Sequence, residues 1–403
     1  MLSVDDALRF VLEHAQPLLP VNMPIVDAGG CVLAEPIVSD IDSPPHDKAV
    51  VDGYAIVSGD VRKSGTRLSV LEEVVAGAVP TRTVEAGTAT RIMTGAPIPQ
   101  GADAVVMIEQ TQAHGDRVCV MQTSVKSGQN IMRRAAALAK GETVLSPGKT
   151  LRPIEIGLLA EVGRSTVLVV SPAQVAVLAT GNELVQSSTV PGPGQIRNSN
   201  ESLLLGLVQQ VGGCAVPLGI ARDDEAELER AIEVGLLRDI LVLSGGVSAG
   251  VLDLVPQVLT KLGVHQIFHK VDLKPGKPLW FGVKSRSAGR RTLVFGLPGN
   301  PVSSLVCFEL FVRPAIRRLG GLPPTGLRAA RARLAHDHQQ RGERPTYWPA
   351  DLREEQVTPL AWQGSGDLRT LVDANCLVVF PGGDRLFSRG EEVDLLLFDE
   401  QNC

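Results

Sequence analysis

The spacing of apolar positions changes several times along the chain, and each change predicts a different kind of element. Val4, Leu8, Val11 and Leu12 recur at helical intervals, so residues 3–19 read as an amphipathic helix with Ser3 as its N-cap. Residues 20–50 hold Pro20, Pro24, Pro36, Pro44 and Pro45 and predict short strands and turns. From 54 to about 135, short β runs separated by glycine predict a small β domain. A Pro-Gly turn follows, and then a helix from Ile154 to Val162.

The pattern changes again at Val175. VAVLATG, DILVLSGG and TLVFGLPGNP read as buried strands that end in glycine-rich turns. Between and after them lie helical stretches. One runs from Ser199 to Gly213, with Ser199 or Asn200 as its cap and Gly212 at its stop. Others run over Asp223 to Leu236, over VLDLVPQVL, and over a long segment from Val302 in which Pro314 is the expected kink. Strands alternating with helices predict a parallel, doubly wound sheet. After Pro323 and Pro324 the β texture returns.

With 403 residues, 44% of them hydrophobic, the chain has enough apolar surface for several domains. There are 39 basic against 44 acidic residues, a net charge of −5, which argues against a nucleic-acid-binding protein. Nine Phe, three Trp and two Tyr are also too few for a base-stacking platform. Met1 to Asp6 is acidic and no stretch reaches membrane-spanning length, so neither export nor a membrane is expected and a cytoplasmic location is. The six cysteines form no C-x-x-C pair and read as free thiols.

Ligands of open α/β sheets bind outside the carboxyl ends of the strands. Here those ends carry Thr180-Gly181-Asn182-Glu183, Ser244-Gly245-Gly246-Val247-Ser248 and Gly296-Leu297-Pro298-Gly299-Asn300. Glycine lets backbone N–H groups approach a ligand, so three such loops point to a phosphate or oxyanion. LKPGKPLWFG places Lys274 and Lys277 around a Pro-Gly turn, an arrangement suited to a compact anion, although the motif by itself reads first as a solvated hairpin. Glu183, Asp223, Asp224 and Asp253 lie in the same region and supply hard oxygens suited to Mg2+, although Asp223 can also be read as a helix cap.

Several other signatures fail. SPGKT resembles a P-loop, but Thr143 stands where its first glycine belongs. The GPG at 192–194 lacks the third glycine of a dinucleotide fingerprint. Gly246-Val247-Ser248-Ala249-Gly250 fits the nucleophile elbow of a serine hydrolase, without an accompanying HGGG-type oxyanion segment. His265 with His269, and His336 with His338, read as structural or solvated histidines.

Taken together, the motifs resemble the MoeA-type molybdopterin molybdenumtransferases, the family that includes the gephyrin E domain. The resemblance covers about Leu2 to Phe398. It rests on SPPHDKAVVDGYA, RIMTGAPIPQGADAVVMIE, GQNIMRR, VAVLATGNEL, GQIRNSN, SGGVSAGVLD, KPGKP and LPGNPVSS. It implies an elongated homodimer with its active site between subunits. The implied domains are a discontinuous one (1–53 and 136–172), a β insertion (54–135), an α/β molybdopterin-binding domain (173–322) and a C-terminal β domain (323–403). The implied reaction joins molybdate to the dithiolene of adenylyl-molybdopterin and releases AMP, with Mg2+ assisting.

By this resemblance Lys274, Lys277 and Ser303 contact molybdate, and Arg344 and Ser365 help hold it. Asp52, Thr94, Glu183 and Asp253 are the catalytic positions, with Glu183, Asp223 and Asp253 the metal ligands. Gly181, Gly245, Gly246, Ser248, Pro278, Gly299 and Asn300 join the substrate-binding set. An adenylyltransferase that delivers the adenylate and apo-molybdoenzymes that accept the product are implied as transient partners. Serine hydrolysis at Ser248 and a non-catalytic pterin-binding scaffold are the alternatives. The chain departs from the family pattern at His46, Lys48, Ala135 to Ala137, Asn182 and the Tyr347-Trp348-Pro349 segment.

Overall fold

The computed structural model describes residues 1–247 and 254–398. The chain forms two compact units, one comprising Met1–Met23, Gly30–Ala34 and Leu168 onward, the other Pro24–Gly29 and Glu35–Val167.

The first unit is organised by a six-stranded sheet. Its elements, with the first helix of the chain, are α1 (Val4–His14), β1 (Gln174–Thr180), α2 (Ser199–Gln210), β2 (Cys214–Ala221), α3 (Glu225–Gly235), β3 (Ile240–Ser244), α4 (Val255–Lys261), β4 (His265–His269), β5 (Trp280–Ser285), β6 (Arg291–Leu297), α5 (Pro301–Cys307) and α6 (Arg313–Leu319). The strand order is β2-β1-β3-β6-β5-β4. The first four strands are parallel, while β5 and β4 add antiparallel. The expected all-parallel sheet is thus mixed. The link from β4 to β5 covers residues 270–279 and that from β5 to β6 residues 286–290, both shorter than the dozen or more residues that a parallel crossover needs.

Alternate residues of the parallel strands feed two cores. Val175, Val177, Ile240 and Val242 meet Leu204 and Val208 of α2 and Phe308, Phe311 and Ile316 beyond α5. Ala176, Leu178, Leu241 and Leu243 meet Leu228 and Ile232 of α3 and Val255 and Leu259 of α4. A sheet buried on both faces has continuous apolar strands, as these sequences do.

Three local expectations change. Helix α1 ends at His14 rather than at 19, and its buried Ala7 and Val11 join the sheet's first core. Helix α2 is capped by Asn198, whose side chain accepts the Glu201 N–H, and not by Ser199 or Asn200. Before Pro314 the long helix changes winding, with a π-helical turn over Phe308–Val312 between α5 and α6. Pro314 offers no N–H to the carbonyl four residues back, and its ring crowds that carbonyl. The preceding turn widens in response.

After α6 the chain closes a barrel of β7 (Arg328–Leu334), β8 (Thr346–Arg353), β9 (Gln356–Pro359), β10 (Cys376–Phe380) and β11 (Glu392–Leu397), with the short helix α7 (Leu368–Val372) before β10. The second unit contains a six-stranded sheet spanning Gly53 to Val120, two small two-stranded ribbons and a helix over Pro153–Glu161. Among the described residues no helix is long and apolar enough to cross a membrane.

Candidate active site

The ends of β1, β3 and β6 open on a cavity of about 660 Å³. Gly181, Glu183, Gly245, Gly246, Gly299, Asn300, Asp223 and Pro278 line it, so eight of the expected site residues share one space. Gly245 and Gly246 have φ of +95° and +65°. A Cβ on Gly245 would stand 2.5 Å from the Thr180 carbonyl oxygen, and one on Gly246 would stand 2.7 Å from Thr180 Oγ1. Only glycine allows the chain to turn this closely over β1.

Asn200 ties the loops together. Its Nδ2 donates to Ser244 Oγ at 2.7 Å and to the Gly299 carbonyl at 2.8 Å. Its Oδ1 is buried with no partner among the described residues, as is Thr180 Oγ1. Both residues line the cavity, and buried polar atoms are rarely left unpaired. They are acceptor and donor positions that a ligand's polar edge would satisfy. Neither was singled out as a site residue from sequence, where Asn200 reads as a helix cap and Thr180 as the last residue of a strand. The sequence signals for them are their place in GQIRNSN and VAVLATGNEL and, for Thr180, its position at the head of a strand-end loop.

The acidic side of the cavity is set by two loops that grip each other. The Asn182 N–H donates to Asp223 Oδ2 at 3.3 Å, and the Asp223 N–H donates to Asn182 Oδ1 at 3.2 Å. The Arg222 guanidinium also reaches the Asn182 carbonyl at 3.0 Å. The cap of α3 is Asp224, which leaves Asp223 facing the cavity. The Glu183 carboxylate folds back over Gly181, within 2.5 Å of where a Cβ would lie. No cluster of three metal-binding side chains occurs among the described residues. Asp253, the expected third carboxylate, and Ser248 lie outside the described residues.

The Lys274–Lys277 turn is held from the barrel. The Lys274 N–H donates to the Pro345 carbonyl and the Tyr347 N–H to the Lys274 carbonyl, each at 2.8 Å. Arg344 Nη1 donates to the Leu273 carbonyl at 2.9 Å. Lys277 is exposed and Lys274 half-buried, and neither makes an ion pair among the described residues. Pro278 lines the cavity, which puts the turn at its edge. The turn links the antiparallel β4 and β5, as the hairpin reading of the motif expects, and its backbone is anchored to the barrel with Lys277 exposed and Lys274 half-buried.

Asn300 Nδ2 donates to Ser365 Oγ at 2.8 Å, and the Val302 N–H donates to the Ser365 carbonyl at 3.0 Å. Ser365 is therefore brought to the start of α5. Ser303 lies one residue further on, buried and not on the cavity wall. Asp52 and Thr94 belong to the other unit, where one Asp52 oxygen accepts from both the N–H and the hydroxyl of Thr94. These two bonds, with the Arg91 charge adding to them, hold the Asp52 carboxyl below its usual range.

Three family models match the chain in order. They are the MoeA N-terminal region (domains I and II) over residues 2–163, a probable molybdopterin-binding domain over 176–318, and the MoeA C-terminal region (domain IV) over 331–398. A molybdopterin molybdenumtransferase from Bacillus subtilis is 33% identical over 414 residues, covering 100% of this chain and 95% of the relative. One from Nostoc sp. is 36% identical over 411 residues, covering 98% and 94%. A crystal structure of a molybdopterin biosynthesis MoeA protein from Pyrococcus horikosii superposes with a TM-score of 0.80 at 32% identity, covering 99% of this chain and all of that one. Matched end to end by sequence and by fold, the chain belongs to the MoeA family of molybdopterin molybdenumtransferases.

Proposed function

We propose that this protein is a molybdenum insertase of molybdenum cofactor biosynthesis, joining molybdate to the dithiolene of adenylyl-molybdopterin and releasing AMP. In the balanced reaction the two dithiolene sulfurs replace two molybdate oxygens, which leave as two waters carrying the two thiol protons and two more from solvent. One water is consumed as the phosphoanhydride to AMP is cleaved. The observation that carries the reading is the cavity at the strand ends. It offers two buried, unpartnered polar atoms, on Thr180 and Asn200, to a polar ring system beside a turn carrying two cations. The glycine loops suit phosphate groups, and Lys274 and Lys277 suit the molybdate dianion.

The same cavity fits Mg2+. Glu183 and Asp223 supply hard oxygens at one wall, and Mg2+ commonly takes one or two carboxylates together with substrate phosphates. Asp253 is the proposed third ligand. Held by these carboxylates, the ion would supply charge neutralisation at the pyrophosphate and polarisation of its bond to AMP. The chain's own residues do the rest. Lys274 and Lys277 hold the anion, Arg344 fixes the carbonyl before Lys274, and Ser365 steadies Asn300.

The family's composite site belongs to the same proposal: a cytoplasmic homodimer in which Asp52 and Thr94 serve the partner subunit's cavity. An adenylyltransferase would supply the substrate and apo-molybdoenzymes would take the product. Serine hydrolysis and a non-catalytic scaffold are not favoured by relatives matched over their full length.

The direct test is AMP release from adenylyl-molybdopterin, with and without molybdate and Mg2+. Release that ignores molybdate would count against the reading. Mixing Asp52→Asn and Lys274→Ala variants under subunit exchange tests the composite site, since only heterodimers can recover activity. Exchanged heterodimers with no recovered activity would overturn it.

A further inference from the structure

The backbone of the lysine turn is most confined at Gly276. Its carbonyl accepts the Leu279 N–H at 3.1 Å and the Cys307 thiol at 3.5 Å. A Cβ on Gly276 would come within 2.6 Å of Cys307 Sγ and 2.8 Å of Leu273 Cδ1, so the glycine presses directly on the sulfur. Cys307 is wholly buried, and burial pushes its thiol up, so it remains a neutral S–H donor. It closes α5, and Ser303, four residues earlier, lies on the same helix face.

We infer that Cys307 is a positioning residue that sets the distance between the Lys274–Lys277 turn and the Ser303 face of α5. Being sealed from solvent, the thiol is neither nucleophile nor ligand. A thiol is a weak donor, so its removal acts by shifting the lysines proposed to bind molybdate more than through the lost bond itself. Geometry is what a site of converging donors depends on. Charge-assisted bonds weaken steeply with distance and angle, so a shift of a few tenths of an ångström predicts a loss of molybdate affinity of about fivefold.

The inference rests on the proposed use of this turn for molybdate. The test compares wild type with Cys307→Val, which fills the space without a donor, and with Cys307→Ala should the valine fail to fold. Molybdate-dependent AMP release is measured against both substrates, and molybdate binding by equilibrium dialysis. The expected result is a rise of about fivefold in the molybdate KM, with kcat and the adenylyl-molybdopterin KM within about twofold of wild type. An unchanged molybdate KM overturns the inference. A parallel rise in both KM values also overturns it, since that is what general loosening produces. Lys274→Ala separates the two levels. If it loses molybdate binding while Cys307→Val keeps it, only the positioning role falls. If wild type itself binds no molybdate, the functional reading falls and the inference with it.

Discussion

One carboxylate oxygen of Asp52 accepts both the backbone N–H and the side-chain hydroxyl of Thr94, each at 2.7 Å. Both bonds favour the ionised form, and so does the Arg91 charge. Thr94→Val keeps the amide and nearly the same volume but removes the hydroxyl. The Asp52 carboxyl should then titrate higher, part of the way back to the ordinary range. Because its folded value is depressed, the stability linked to its ionisation is present above the unfolded value. That stability is lost as pH falls through the folded one. A carboxyl-carbon NMR titration of aspartate-labelled protein reads the shift, and an unmoved Asp52 would mean that the hydroxyl contributes nothing to it.

Arg152 and Glu155 form a second local clamp. Arg152 Nη2 donates to Glu155 Oε1 at 2.7 Å, and the Arg152 N–H and Nε each donate to Oε2 at 3.0 Å. The Arg152 side chain is the main cause that brings the Glu155 carboxyl down to about 2, well below the usual glutamate range. Its contribution to stability is therefore full above about pH 4.5 and drains away between there and about pH 2. Glu155→Gln should lower the thermal midpoint by a constant amount from pH 8 to pH 5, and the gap should close below pH 4.5. A gap independent of pH would show that packing, not charge, is what the glutamate supplies.

Much of this was legible in the chain because buried parallel strands are continuous apolar runs. β1, β3 and β6 read directly as VAVLATG, DILVLSGG and TLVFGLPGNP, and their ends place the cavity. A strand's apolar run carries no trace of its pairing direction, and the sign lies in the turn beside it, as the hairpin reading of LKPGKPLWFG does for β4 and β5. Pro314 was recognised as the cause of an irregular helix, but not the form it takes, because the widened turn lies before the proline. The orphaned atoms of Thr180 and Asn200 depend on burial by loops far apart in sequence. The bond from Arg344 to the Leu273 carbonyl spans 71 residues, and no local spacing encodes it.

The lysine turn gives the prediction with the largest expected effect. Lys274 and Lys277 have no carboxylate partner among the described residues, so their charge is available to an anion. Replacing either by alanine removes a charge-assisted partner worth about 1.5–3 kcal/mol, or about tenfold or more in molybdate affinity. Pterin binding at the strand ends should change far less, because the turn sits at the cavity's edge. Equilibrium dialysis with molybdate, alongside a binding measurement for molybdopterin, separates the two. Equal losses for both ligands would place the lysines on the pterin instead.

The reciprocal bonds between Asn182 and Asp223 make position 182 the sharpest probe of the acidic wall. Asn182 Oδ1 accepts the Asp223 N–H, a role that an aspartate oxygen fills equally well. The backbone bond from the Asn182 N–H to Asp223 Oδ2 does not depend on the side chain at 182. Asn182→Asp therefore keeps the clamp and adds one negative charge beside Asp223 and Glu183, which line the cavity. Without a cation this added charge repels the substrate pyrophosphate, and with Mg2+ present it tightens the ion. The two cases predict opposite signs. If Mg2+ acts at this wall, Asn182→Asp lowers the Mg2+ concentration needed for half-maximal AMP release, and Glu183→Gln raises it. If it does not, Asn182→Asp raises the KM for adenylyl-molybdopterin at every Mg2+ concentration, and Glu183→Gln lowers it. Mg2+ titrations of AMP release for the two variants and wild type decide between them. Superimposable curves for all three would remove both residues from the metal and leave the carboxylates as parts of the loop.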